Sequence, residues 1–196
     1  MDLTSPIRDV VPSLDGPVLQ ALAGTTAPLP LTRVHRLAGA GSLSGVRKVL
    51  LRLVATGLAE EVPGGYLLNR DHVAAPAVEH LAGLRREVLR RLRDYARGLR
   101  PAPLLVGVFG SFARSDGDVT SDIDVLVVTR PAADGDRDDI APDLSTTVQR
   151  WTGNECHVVT VTPDDIDRMR RAAEPILTAW NEDLVVILGD RSVLTA

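Results

Sequence analysis

The chain has 196 residues, 44% of them hydrophobic and 24% charged, which is material for one or two domains with a buried core and excludes disorder throughout. No apolar run approaches the roughly 18 residues of a membrane span, and Met1-Asp2-Leu3-Thr4 opens neither a basic nor an apolar leader, so a cytoplasmic protein with no membrane partner is expected. A single cysteine, Cys156, excludes an internal disulfide and speaks against a thiolate zinc cluster, and 3% aromatic residues speak against a stacking platform for single-stranded nucleic acid.

The net charge of −4 conceals two unlike halves. Residues 1–100 hold 14 Lys+Arg against 9 Asp+Glu, hence +5, whereas residues 101–196 hold 8 against 17, hence −9. A basic half suits a polyanion; an acidic one is either solvated or collects divalent cations.

In chain order, a short apolar helix is expected over 17–23 and is broken by 24–30. Thr32 is placed to cap a second helix reaching about Ala38. After Gly39-Ala40-Gly41 a third helix runs over roughly 42–56, with Val46, Val49, Leu50, Leu53 and Val54 on one face, Ser44, Arg47, Lys48 and Arg52 on the other, and Gly57 as its stop. Leu58 to Val62 and Tyr66 to Leu68, around Pro63-Gly64-Gly65, read as a hairpin. This succession, with the third helix running through Arg52-Leu53-Val54-Ala55-Thr56-Gly57-Leu58 into the hairpin, resembles the winged helix-turn-helix of bacterial transcription regulators of the MarR/ArsR type over about residues 14–72. The resemblance implies double-stranded DNA as a partner, Ser44, Arg47, Lys48 and Arg52 as the contacting residues, and a homodimer where the operator is a palindrome.

Residues 76–99 carry the apolar stripe of one long helix, and Arg85, Arg86, Arg90, Arg91, Arg93, Arg97 and Arg100 crowd its remaining surface. It reads as a connector, with a seam near Arg100-Pro101-Ala102-Pro103. The expected organisation is therefore a winged helix-turn-helix over 1–75, a connecting helix over 76–100 and a second domain over 101–196.

In that second domain Leu104 to Phe109 is a buried strand ending at Gly110-Ser111, and Ile123 to Val128 is another, entered through Ser121-Asp122. Alternate residues of a strand share a face, so Asp122 and Asp124 present two carboxylates side by side. Their mutual repulsion is relieved by a divalent cation, and magnesium takes one or two carboxylates with water and phosphates completing its shell. A Gly-Ser turn at the end of a strand offers unhindered backbone N–H groups and a hydroxyl to a phosphate. Gly110-Ser111-Phe112-Ala113-Arg114, then Ser121-Asp122-Ile123-Asp124-Val125-Leu126-Val127-Val128, resembles the signature of the DNA polymerase β nucleotidyltransferase superfamily, in its minimal branch, over about residues 101–190. The resemblance implies an α+β domain with a mixed sheet flanked by helices, Mg2+ held by Asp122 and Asp124, and a nucleoside triphosphate held by Gly110, Ser111 and Arg114. Arg114 has the alternative of pairing with Asp116 or Asp118.

A third carboxylate is expected from a later strand, for which Glu155 to Val161 is the candidate. His157 stands where the acid is expected, with Glu155 one strand repeat earlier; Glu155 is assigned as the third catalytic residue, His157 a structural role, and Cys156 a buried one. A helix over 142–151, an exposed loop over 131–139, a helix from Asp164 capped by Thr162 or Asp164, and a terminal strand over 184–188 complete the expected elements. The function expected is nucleotidyl transfer to a protein or nucleic-acid hydroxyl, with a small helical toxin–antitoxin partner implied by the resemblance. The rival is a transcription regulator whose transferase-like domain senses nucleotide or is inactive; aminoglycoside modification shares the motif and leaves the basic half unexplained.

Overall fold

A computed structural model describes residues 1–131 and 140–195. The loop expected over 131–139 lies, apart from Pro131, outside the described residues. The chain divides into two compact units, one of residues 4–85 with Asp2, the other from residue 86 onward with Met1 and Leu3.

The first unit contains α1 (Asp15–Ala23), α2 (Leu31–Ala38), α3 (Leu43–Ala55), β1 (Ala59–Val62), β2 (Gly65–Leu68) and α4 (Ala75–Ala82). The expected cap of α2 at Thr32 is not formed: Pro30, with its ring-fixed φ of −58°, precedes the helix, and Thr32 lies inside it. Ser42 does cap α3, its hydroxyl accepting from the Gly45 N–H at 3.1 Å. Val46, Leu50 and Leu53 of α3 are buried and pack with Val18 and Leu22 of α1 and Val34 of α2 in one core. Strands β1 and β2 pair antiparallel, Ala59 with Leu68 and Val62 with Gly65, around a turn whose Gly64 takes φ +101°. A bridge between Leu29 and Tyr66 extends this ribbon, Leu29 N–H donating to the Tyr66 carbonyl at 3.0 Å.

The single helix expected over 76–99 is two. α4 ends at Ala82, and α5 (Leu84–Gly98) follows across Gly83, whose N–H donates back to Glu79 and His80 carbonyls. Glycine is the weakest helix former after proline, and the apolar stripe of the sequence concealed the break. On α5 the arginines are mostly spent within the unit: Arg90 and Arg91 pair with Glu87, Arg90 also with Asp94, and Arg93 donates to the Ile187 carbonyl.

The second unit is built on β3 (Leu105–Phe109), α6 (Gly110–Arg114), β4 (Ile123–Val128), α7 (Ile140–Thr152), β5 (Cys156–Val161), α8 (Pro163–Arg171), α9 (Ile176–Asp183) and β6 (Val185–Gly189). The strands form a mixed sheet in the order β5-β4-β3-β6, with β3 antiparallel to β4 and β6, and β4 parallel to β5. Strand alternation feeds two cores. Val106 and Val108 of β3 with Ile123, Val125 and Val127 of β4 pack with Val88 and Leu92 of α5 and Leu144 and Val148 of α7. Leu105, Phe109, Leu126 and Val128 face the other way, against Ile166 of α8 and Trp180 of α9. Helix α9 has no counterpart in the sequence reading. Thr162 caps α8 in a reciprocal box with Asp165, as one of the two expected caps.

Candidate active site

Asp122 and Asp124 share the parity of Leu126 and Val128, so both project from the face covered by α8 and α9, at the end of β4 where that cover stops. Pairing places Asp124 opposite Phe109 of β3 on one side and His157 of β5 on the other. The chain leaving Phe109 turns at Gly110, with φ +69°, and enters α6, which brings the Gly-Ser bend directly over Asp124. A Cβ at Gly110 would fall well under 3.0 Å from Asp124 Oδ2, so glycine is required here both for its backbone and for the room it leaves the carboxylate. The Ser111 hydroxyl donates to the Asp122 carbonyl at 3.4 Å. Bend and carboxylate pair therefore belong to one site, as the motif spacing requires.

His157 faces both acids: its Nδ1 is 3.6 Å from Asp122 Oδ2 and 3.9 Å from Asp124 Oδ1. Burial pushes the Asp124 carboxyl above its ordinary range, opposed by His157 and reinforced by the neighbouring Asp122 charge. Cys156 points into the core as expected; burial, with Asp124 and Asp122 adding to it, raises its thiol to about 12, which makes it an inert packing group.

Other expected site residues fall differently. Glu155 lies one residue before β5, its carbonyl accepting the Ile123 N–H at 2.9 Å. Its exposed side chain borders a polar cavity of about 250 Å³ with Ser145, Gln149, Cys156 and His157. Thus His157, and not Glu155, meets the two aspartates, because parallel register aligns residue 157 with 124. Arg114 is held by two carboxylates, Asp116 Oδ2 at 2.9 Å and Asp183 Oδ2 at 2.6 Å, and so ties α6 to the end of α9. A phosphate at Arg114 would have to compete with both. In the first unit, Arg47 and Lys48 are exposed on α3 and no ion pair engages either among the described residues, whereas Arg52 pairs with Asp15 and Ser44 bonds to the Ser42 hydroxyl.

Sequence reasoning passed over Asn154. This buried amide donates to the carbonyls of Ser121 at 2.9 Å, Met1 at 3.1 Å and Val119 at 3.4 Å, pinning the segment that delivers Asp122. Its position after Gly153, which has φ +78°, was the available signal: a Gly-Asn turn before a strand often carries side-chain to backbone bonds.

Residues 89–176 match the family model described as the nucleotidyltransferase domain, and this part of the chain carries that domain. Among solved structures, a Sulfolobus solfataricus protein provisionally named a nucleotidyltransferase aligns at 23% identity and a TM-score of 0.31, over 53% of this chain and 81% of that one. No curated protein matches the chain. Among the described residues no helix is long and apolar enough to cross a membrane.

Proposed function

We propose that the chain is a divalent-cation-dependent nucleotidyltransferase that moves a nucleoside monophosphate from a nucleoside triphosphate to an acceptor hydroxyl. The observation that carries this reading is the convergence of Asp122 and Asp124 under the Gly110-Ser111 bend, with Asp124 Oδ2 occupying the space a Cβ at residue 110 would need. The two carboxylates fit a cation: no protein hydrogen bond to either is present among the described residues, their charges repel, and oxygen donors suit Mg2+. Asp118, Asp165 and Asp190, by contrast, are engaged by backbone N–H groups in turns and caps.

When bound, the cation neutralises charge developing on the triphosphate. Asp122 and Asp124 would hold it, while the open backbone at Gly110 and the Ser111 hydroxyl, once turned from the Asp122 carbonyl, would receive phosphate oxygens. The acceptor oxygen then bonds to the α-phosphorus, the bond from that phosphorus to the bridging oxygen breaks, pyrophosphate departs with the electron pair, and the hydroxyl proton leaves to water. Incubation with labelled nucleoside triphosphates, Mg2+ and candidate acceptors tests this: Asp122→Ala and Asp124→Ala abolish transfer, and transfer that survives both removes the assignment.

One observation favours a second reading, a DNA-bound regulator that holds nucleotide without transferring it: the side chain meeting the acids from β5 is an imidazole, not a carboxylate. Nucleotide binding without transfer to any acceptor would favour it. In both readings the first unit is proposed to act as a winged helix that contacts DNA through Arg47 and Lys48. Salt-dependent DNA binding lost in Arg47→Ala/Lys48→Ala supports that role, and unchanged binding refutes it.

A further inference from the structure

The Asp122–Asp124 pair has neighbours on both flanking strands and on α6, whose Arg114 also acts electrostatically on Asp124. Phe109 lies opposite Asp124 on β3 and offers no polar atom; the Gly110-Ser111 bend caps one side; His157 stands on the other, on β5. The imidazole is 60% exposed at its side chain, with its Nδ1 turned toward both carboxylates, and no hydrogen bond holds the ring elsewhere among the described residues. Backbone pairing of β4 with β5 fixes the Cα of residue 157 beside that of residue 124, so the approach is set by the sheet and not by a loop.

We infer that His157 is the third protein ligand of the cation, making a mixed imidazole–carboxylate site that selects a first-row transition-metal cation such as Mn2+ over Mg2+. The inference rests on the nucleotidyltransferase reading of the same site. Two ligands at right angles on a cation with bonds of about 2.1 Å lie about 3 Å apart. The observed 3.6 and 3.9 Å exceed this by less than 1 Å. Among the described residues no three such side chains already stand in ligating geometry, so closure requires rotation. The exposed partners can make it: the His157 side chain is 60% exposed and that of Asp122 40%, so both can turn toward Asp124, which the Gly110 bend keeps in place. Mg2+ is hard, favours oxygen and gives up water reluctantly, so a nitrogen donor adds little to its binding; first-row transition cations bind mixed N/O sites in an order of affinity that starts at Mn2+ and rises beyond it, and Mn2+, itself at home on carboxylates, gains more from an added imidazole than Mg2+ does.

The test uses the full chain with Mn2+ alone, read by electron paramagnetic resonance, and Mg2+ as competitor. Bound Mn2+ is expected to show spin-echo modulation from a coupled nitrogen, absent in His157→Ala, and Mg2+ is expected to displace it only at tenfold excess or more. In His157→Ala the Mn2+ affinity falls at least tenfold and that advantage disappears; in His157→Asp the preference shifts toward Mg2+. Because the ring is exposed, these variants should melt like the parent, which separates loss of a ligand from loss of fold. Failure of Mn2+ to bind, binding that needs Asp122 and Asp124 yet shows no nitrogen coupling, or an unchanged Mn2+ to Mg2+ ratio in His157→Ala overturns the inference. Should nucleotidyl transfer still require the two aspartates in that case, the function stands without it. Nitrogen coupling in a protein that binds no nucleotide leaves His157 a ligand and removes the function.

Discussion

Replacing Gly110 by Ala separates the two demands made on that residue. The first is conformational: a side chain at φ +69° costs about 1–2 kcal/mol. The second is spatial, since the new Cβ would force Asp124 Oδ2 to retreat by more than about 0.5 Å, beyond the tolerance within which a preorganised site keeps its function. Gly153→Ala is the control. It sits at φ +78° with nothing within 4 Å of its Cβ position, so it incurs the conformational cost alone. Urea unfolding should report similar losses of about 1–2 kcal/mol for both variants. Calorimetric titration with a nonhydrolysable nucleoside triphosphate and Mg2+ should show a loss of roughly tenfold to a hundredfold in Gly110→Ala and a parent-like affinity in Gly153→Ala. If Gly110→Ala carries its stability penalty and still binds as the parent does, the close approach of bend and carboxylate has no part in ligand binding, and the reasoning fails.

Three other outcomes are expected. Ser115 terminates α6 with φ +63°, so Ser115→Gly should stabilise the protein by about 0.5–1 kcal/mol in urea unfolding, with no change in cation binding. Asp165, held at about 2 by hydrogen bonds from Thr162 and by Arg168, is depressed from its ordinary 3.8; its stabilisation is complete above the unfolded value and is lost as pH falls toward 2. Asp165→Asn should accordingly cost about 1 kcal/mol at pH 7, a difference that shrinks between pH 4 and pH 2 in unfolding series. Asn154→Ala should cost about 1–2 kcal/mol by leaving the half-buried carbonyls of Ser121 and Met1 without this donor, and should weaken cation binding through Asp122, as calorimetry can measure.

The sequence exposed those parts of the protein where one-dimensional pattern and three-dimensional role coincide. The 3.6-residue repeat of α3, the Pro-Gly hairpin and the apolar strands β3 and β4 are local properties, and the Gly-Ser to Asp-any-Asp spacing carried the site because one motif ends and the other begins strands that pair directly. Gly83 escaped notice because an apolar stripe continues on both sides of it. That His157 stands in the place of the third acid was legible in the sequence; that its ring turns toward both aspartates while Glu155 stays outside the pair required the register of β5 on β4. The same holds for the pairing of Arg114 with Asp183 and of Arg52 with Asp15, which are remote in sequence, whereas the pairing of Arg114 with the nearby Asp116 was among the expected alternatives. A cation on a surface helix looks alike whether it is free for a ligand or already committed.

The central claim is that Asp122, Asp124 and the Gly110-Ser111 bend form one cation-dependent triphosphate site. Coupled equilibrium binding tests it most directly: nucleoside triphosphate titrated with and without divalent cation, in the parent and in Asp122→Asn/Asp124→Asn. The account predicts that cation tightens nucleotide binding at least tenfold in the parent, and by the reciprocity of linkage that nucleotide tightens cation binding equally, with both effects absent in the double variant. Coupling that persists without the two carboxylates, or nucleotide affinity indifferent to cation in the parent, would contradict it.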